Sequence, residues 1–111
     1  MIHFEDWERL DLRVGKIIKV KDHPNANKLY VLTVDFNEET GHRTIVTGLK
    51  EFCKKEDLEG KSAIFVLNLE PVNIRGIKSE GMILAAESPG TAKTCILVPD
   101  DEEIEAGSKV R

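Results

Sequence analysis

The densest run of side chains able to hold an anion lies between Asn68 and Ala86, NLEPVNIRGIKSEGMILAA. Arg75 and Lys78 supply two cations, and Asn68, Asn73 and Ser79 supply hydrogen-bonding groups. A guanidinium can fork onto two oxygens, whereas an ammonium acts as a point charge. Met82 offers an adaptable apolar contact to a base or ribose. Together these groups suit a multi-oxygen anion, and a phosphate backbone is the best match. The plain alternative is a solvated connection between strands, which composition alone does not exclude. Asn68 could equally cap the end of its strand, and Met82 could simply begin the next one.

The chemistry that is missing narrows the class. The chain has no phosphate-binding glycine loop, no GxSxG elbow and no Cys–His pair. Ser79 lies between Lys78 and Glu80, but adjacent residues do not face one another, so a nucleophile–base pair does not follow. His3, His23 and His42 have no ligand spacing, so neither a metal site nor a cofactor is expected. Cys53 and Cys95 are isolated and read as reduced thiols of a cytosolic protein. No apolar run approaches ~20 residues, so no membrane span is expected. The reading is a binding module rather than an enzyme.

The anion-binding run must be positioned by its flanks. Ala63 to Leu69 and Met82 to Ala86 are apolar on nearly every residue, which predicts two strands covered on both faces. Pro71, Gly76 and Gly81 break the connector between them. A loop pinned at both ends has little entropy left to lose on binding.

The remaining elements follow in order. Phe4, Trp7 and Leu10 recur every three residues, predicting a short helix that plugs one end of a barrel. The period then becomes two, with Leu12, Val14, Ile18 and Val20 on one strand face and Gly15 marking a bend or bulge. His23 to Asn27 is a turn. Leu29 to Phe36 is a second strand, Asn37 to Gly41 a polar hairpin turn and Thr44 to Thr47 a third strand. Glu51 to Glu59 has helical character, and Thr94 to Val98 is a late strand before an acidic tail. Phe36 and Phe65 fall in core registers, as does Trp7. Short strands with one helical insertion describe a small closed all-β barrel of 111 residues, one domain over residues 1–111.

Net charge is −4, yet its distribution is uneven. Leu12 to Val34 holds five cations against the single acid Asp22, and Asp100 to Glu105 holds five acids and no base. Two poles of opposite sign are expected, with Lys16 and Lys19 steering an anion rather than touching it. Solubilising surface charge is the alternative. Exposed aromatics for stacking a single strand are not evident, so a folded RNA read by its backbone shape fits better.

Five segments in order, DLRVGKI, HPNANKLYVLTVD, RTIVTGL, NLEPVNIRGIKSEGMILAA and PDDEEIEAGSKV, resemble the tRNA-binding domain family. That family includes C-terminal extensions of methionyl-tRNA synthetases and free-standing dimeric proteins, with CsaA-like proteins related. The resemblance implies an OB-fold five-stranded barrel with a short N-terminal helix, a helical insertion between strands three and four, and a C-terminal extension used in dimerisation. It implies structure-specific, sequence-tolerant binding of tRNA in the cytoplasm, in support of an aminoacyl-tRNA synthetase of the methionyl type. It carries Lys28, Asn68, Arg75, Lys78, Ser79 and Met82 over as nucleic-acid contacts. A CsaA-like peptide-binding chaperone or export factor is the alternative. The Met1 start and the C-terminal length favour a free-standing polypeptide; the apolar fourth and fifth strands need cover, from the C-terminal segment of the same chain or from a second copy, and the resemblance favours the second copy.

Overall fold

The computed structural model describes residues 1–37 and 40–111. In chain order the elements are α1 (Phe4–Glu8), β1 (Leu12–Asp22), β2 (Tyr30–Asp35), β3 (His42–Thr47), a 3-10 turn (Leu49–Glu51), α2 (Lys55–Leu58), β4 (Ser62–Val66), β5 (Val72–Ile74), β6 (Ile77–Ser79), β7 (Met82–Ile83), β8 (Ala85–Glu87) and β9 (Thr94–Ile96). Five strands form one antiparallel sheet in the order β3-β2-β1-β4-β7. The sheet curls until β3 comes against β6 and β7, giving the OB-like barrel the sequence implies. The expected turn at Asn37–Gly41 includes Glu38 and Glu39, which lie outside the described residues. At its ends the Phe36 N–H donates to the Gly41 carbonyl at 3.0 Å.

Long β1 is the axis of the fold. Its register against β2 shifts between Ile17 and Lys19, so Ile18 bulges out. That extra residue resets the alternation. Ile17 and Val20 both enter the core, while Ile18 is 47% exposed. The expected face of Leu12, Val14, Ile18 and Val20 is therefore split. Leu12 and Val14 are buried, but outside the main core cluster. The bulge also falls after Gly15, not at it. Gly15 has a different cause: a Cβ there would collide with the Phe36 ring and stand 2.7 Å from Val34 Cγ1. Phe36 in turn meets Phe65 edge-to-face, with ring centroids 5.2 Å apart.

Three other expectations are corrected. α1 buries no residue and Phe4 is 71% exposed, so this helix does not plug the barrel. The insertion between β3 and β4 fills that role, because Leu49 and Leu58 join the core cluster. β4 stops at Val66, leaving Leu69 exposed. The predicted fifth strand breaks into β7 and β8. Within it Ile83 is buried, whereas Met82, Ala85 and Ala86 are exposed, so these residues are not covered on both faces within one chain.

The acidic segment is not a free tail. After Glu105 the chain returns along β1: the Val14 N–H donates to the Ser108 carbonyl at 2.9 Å, Gly107 N–H to Val14 at 2.7 Å and Val110 N–H to Leu12 at 2.9 Å. Asp100 and Glu102 line an open cleft with Lys61 and with Lys16, one of the five cations of the expected basic pole.

Gly15→Ala is expected to cost about 1–3 kcal/mol, the usual range for overpacking a tight core. A urea melt checks this, with a lower midpoint and an unchanged slope.

Candidate nucleic-acid interface

The connector between β4 and β7 is itself structured. β5 and β6 pair as a hairpin, Ile74 opposite Ile77, with Arg75 and Gly76 as its two-residue turn. Their φ values of +55° and +96° fit a turn that needs positive φ at both central positions. Arginine adopts that region only when its surroundings hold it there.

The loop between β1 and β2 supplies the restraint. The Arg75 guanidinium donates to the Asn25 carbonyl from Nε at 3.3 Å and from Nη2 at 3.2 Å. Asn25 Nδ2 returns a long contact of 3.5 Å to the Arg75 carbonyl. Buried His23 joins the same loops through a 2.9 Å bond between Nε2 and the Ile74 carbonyl, and its Nδ1 lies 3.0 Å from the Asn25 amide nitrogen. The side-on edge of the guanidinium is thus spent on a neutral carbonyl, while the Nη1/Nη2 end stays available for two phosphate oxygens. No opposite charge competes for Arg75 among the described residues.

Alternation along β6 sorts the next residues. Ser79 points inward and is 5% exposed, so Lys78 points out. Lys78 has no ion-pair or hydrogen-bond partner among the described residues. Ser79 was expected to reach RNA, but its Oγ accepts from the Val46 N–H at 3.0 Å and donates to the Gly81 carbonyl at 3.2 Å. The hydroxyl is spent closing the barrel. Asn68 is on the surface, yet its Oδ1 accepts from the Asp11 N–H at 2.8 Å and its Nδ2 donates to the Arg9 carbonyl at 2.6 Å. It ties the end of α1 to β1. Lys28 lies on the β1–β2 loop and makes an exposed 3.5 Å ion pair with Glu51. Such a pair is worth at most about 1 kcal/mol and yields readily to a phosphate. Met82 is 46% exposed at the start of β7.

Arg75 and Lys28 therefore belong to two loops brought together, with Lys78 facing outward on the same hairpin as Arg75. Sequence reasoning missed His23 and Asn25. The HPNAN turn was visible, but nothing in it showed a partner 51 residues away. Among the described residues no group of three or more His, Cys, Asp or Glu is placed to hold a metal ion, and no helix is long and apolar enough to cross a membrane. Burial pushes the Cys53 thiol above its ordinary pKa.

A curled five-stranded barrel whose connecting hairpin presents cations with no acidic partner among the described residues defines an OB-like binding domain. The match is to the family described as "Putative tRNA binding domain", over residues 12–109, and the chain belongs to that family. It is 51% identical over 110 residues to a methionine–tRNA ligase of Pyrococcus horikoshii, and 47% identical over 111 residues to that of Nanoarchaeum equitans. Those alignments take in 99% and 100% of this chain but 14% of each ligase. Among solved structures, a MetRS-related protein from Pyrococcus horikoshii superposes with a TM-score of 0.91 at 33% identity, over 100% of this chain and 98% of that one. The chaperone CsaA of Bacillus anthracis gives 0.86 at 30% identity, over 100% and 99%.

At the foot of the β1–β2 loop, Asp22 meets Lys50 and Lys55, both at 3.1 Å. Hydrogen bonds from these two ammonium groups hold its carboxyl below the ordinary 3.8. A depressed carboxylate pKa stabilises the fold above the unfolded value and loses that contribution as pH falls through the folded one. Asp22→Asn is therefore expected to flatten the stability–pH curve below about pH 3.8. Thermal melts at stepped acidic pH read this directly.

Proposed function

We propose that the 1–111 unit binds tRNA by its folded shape, with little regard to sequence, and so supports aminoacylation by a methionyl-type tRNA synthetase. The observation that carries this reading is the junction of the two loops. There Arg75 and Lys78 have no acid paired to them among the described residues, and Arg75 is already oriented. Preset cations favour a rigid backbone surface over a flexible strand, because a strand must lose its own entropy to match them. Tyr30, Phe36 and Phe65 are buried, and the Tyr30 hydroxyl donates to the Cys53 carbonyl at 2.8 Å; the exposed aromatics, Phe4 and Phe52, lie on α1 and just after the 3-10 turn rather than on the hairpin that carries Arg75 and Lys78. Arg75, Lys78 and Lys28 make the phosphate contacts in this proposal, and Met82 packs on a base or ribose. Asn68 and Ser79 act by holding the scaffold. No step of this function asks the chain to be an enzyme, and its setting is the cytoplasm, where tRNA is charged.

We also propose a homodimer. The β8–β9 hairpin leaves Ala85, Ala86 and Cys95 exposed, and Leu97 and Val98 follow at 40% and 52% exposure. A second copy would cover this apolar strip and give one tRNA two basic junctions, raising affinity through effective concentration. The likeness to CsaA supports a second reading, in which the same domain holds unfolded polypeptide.

The double variant Arg75→Ala, Lys78→Ala is expected to keep its fold and to bind tRNA about 10- to 100-fold more weakly. Its log-affinity against log-salt slope should be shallower by about 2. Filter binding at several salt concentrations tests this, with denatured tRNA and an unfolded polypeptide as competitors. Equal competition by denatured tRNA defeats the shape reading, and competition by the polypeptide favours the chaperone one. Light scattering after size exclusion should give a dimer mass, reduced to monomer by Ala86→Glu.

A further inference from the structure

We infer that His23, held as one tautomer, is the positioning residue that joins the two RNA-facing loops into a single rigid surface. The reasoning rests on which atoms can donate. The Asn25 amide can only donate, so His23 Nδ1, 3.0 Å away, must accept. The Ile74 carbonyl can only accept, so Nε2, at 2.9 Å, must carry the proton. A neutral ring with hydrogen on Nε2 is the only form that satisfies both partners. The ring is buried and its own backbone N–H donates to the Leu29 carbonyl at 3.0 Å, which closes the β1–β2 loop around it.

The two ring bonds do different work. Nδ1 shapes the β1–β2 loop by fixing the Asn25 amide. Nε2 crosses to the β5–β6 hairpin at Ile74, the residue before Arg75. Asn25 then presents its carbonyl to the Arg75 guanidinium. His23 never touches the proposed ligand in this account. It sets where Arg75 points and keeps an arginine in a positive-φ turn. An unclamped hairpin would retain its charge but would have to be ordered during binding, at a cost of about 0.5–1.5 kcal/mol per immobilised side chain.

This inference rests on the proposed RNA reading, and two conservative variants separate the bonds. In His23→Gln the amide nitrogen reaches the Nε2 position and keeps the bond to Ile74. In His23→Asn the amide oxygen reaches the Nδ1 position and keeps only the bond to Asn25. His23→Asn is expected to weaken tRNA binding about three- to tenfold with the salt slope unchanged, because no cation is lost. His23→Gln, which keeps the crossing bond, should bind more tightly than His23→Asn, a rescue that general destabilisation would not produce.

Two readouts need no RNA. Long-range nitrogen–proton NMR should show the His23 proton on Nε2. Nuclear Overhauser contacts between Asn25 and Arg75 should persist in His23→Gln and vanish in His23→Asn. A proton on Nδ1, persistence of those contacts in His23→Asn, or parental affinity in His23→Asn alongside a weakened Arg75→Ala, Lys78→Ala variant would each overturn the clamp. Parental affinity in that double variant would instead overturn the RNA reading, while the tautomer and the loop contacts still decide the clamp.

Discussion

The free edge of β3 is the constraint on which the structure depends. A strand that ends a curled sheet leaves a row of backbone donors and acceptors that must be paired or wetted. Here the end of β6, Glu80 and the residue after β4 supply the partners. The Glu80 N–H donates to the Thr44 carbonyl at 2.8 Å, Ser79 Oγ accepts from Val46, and Arg43 Nη1 reaches the Leu67 and Glu80 carbonyls at 2.8 and 3.1 Å. An ordinary ladder gives way to one backbone bond supplemented by side chains at the point where the barrel closes. The segment that closes the barrel is also the one that carries Lys78 and Arg75, so burying one residue fixes the direction of its neighbour.

Charge placement then matters more than charge total. A chain with net charge −4 repels a polyanion at long range. Locally, the acids near the two loops are engaged: Asp22 holds Lys50 and Lys55, and Glu51 faces Lys28. Arg75 and Lys78 stand apart from these pairs. Arg75 is restrained by a carbonyl, which orients it without cancelling its charge. An acid in the place of Asn25's carbonyl would hold the guanidinium more firmly and leave less attraction for phosphate.

Much of this was legible in residue order. Strand periodicity located β1 to β3, and the IRGIKSEGM string pointed to the right connector and its cations. The failures share a physical cause. The bulge at Ile18 inverts the alternation of β1, and no local pattern announces where a bulge falls. The resemblance offered Asn68 and Ser79 as ligand contacts, and residue order did not show that both side chains also bond the scaffold. Those intramolecular partners lie 57, 59 and 33 residues away and come together only on folding. The apolar stripe of α1 was real, but helical periodicity says nothing about which surface it meets, and Leu49 and Leu58 had already filled the barrel end.

Residues 107–110 run back beside Leu12 and Val14, and the Arg13–Lys109 bridge joins segments from opposite ends of the sequence. A ribosome releases those segments in order, so the outer side of β1 must wait, unpaired, until nearly the whole domain has been made. Assembly is therefore a late event governed by long-range pairing, and such topologies fold slowly for their size. During that wait the nascent strand offers a sticky border to other chains. That border spans only Leu12 to Val14, because β1 from Lys16 onward pairs with β2, and so short an edge gives another chain little to grip.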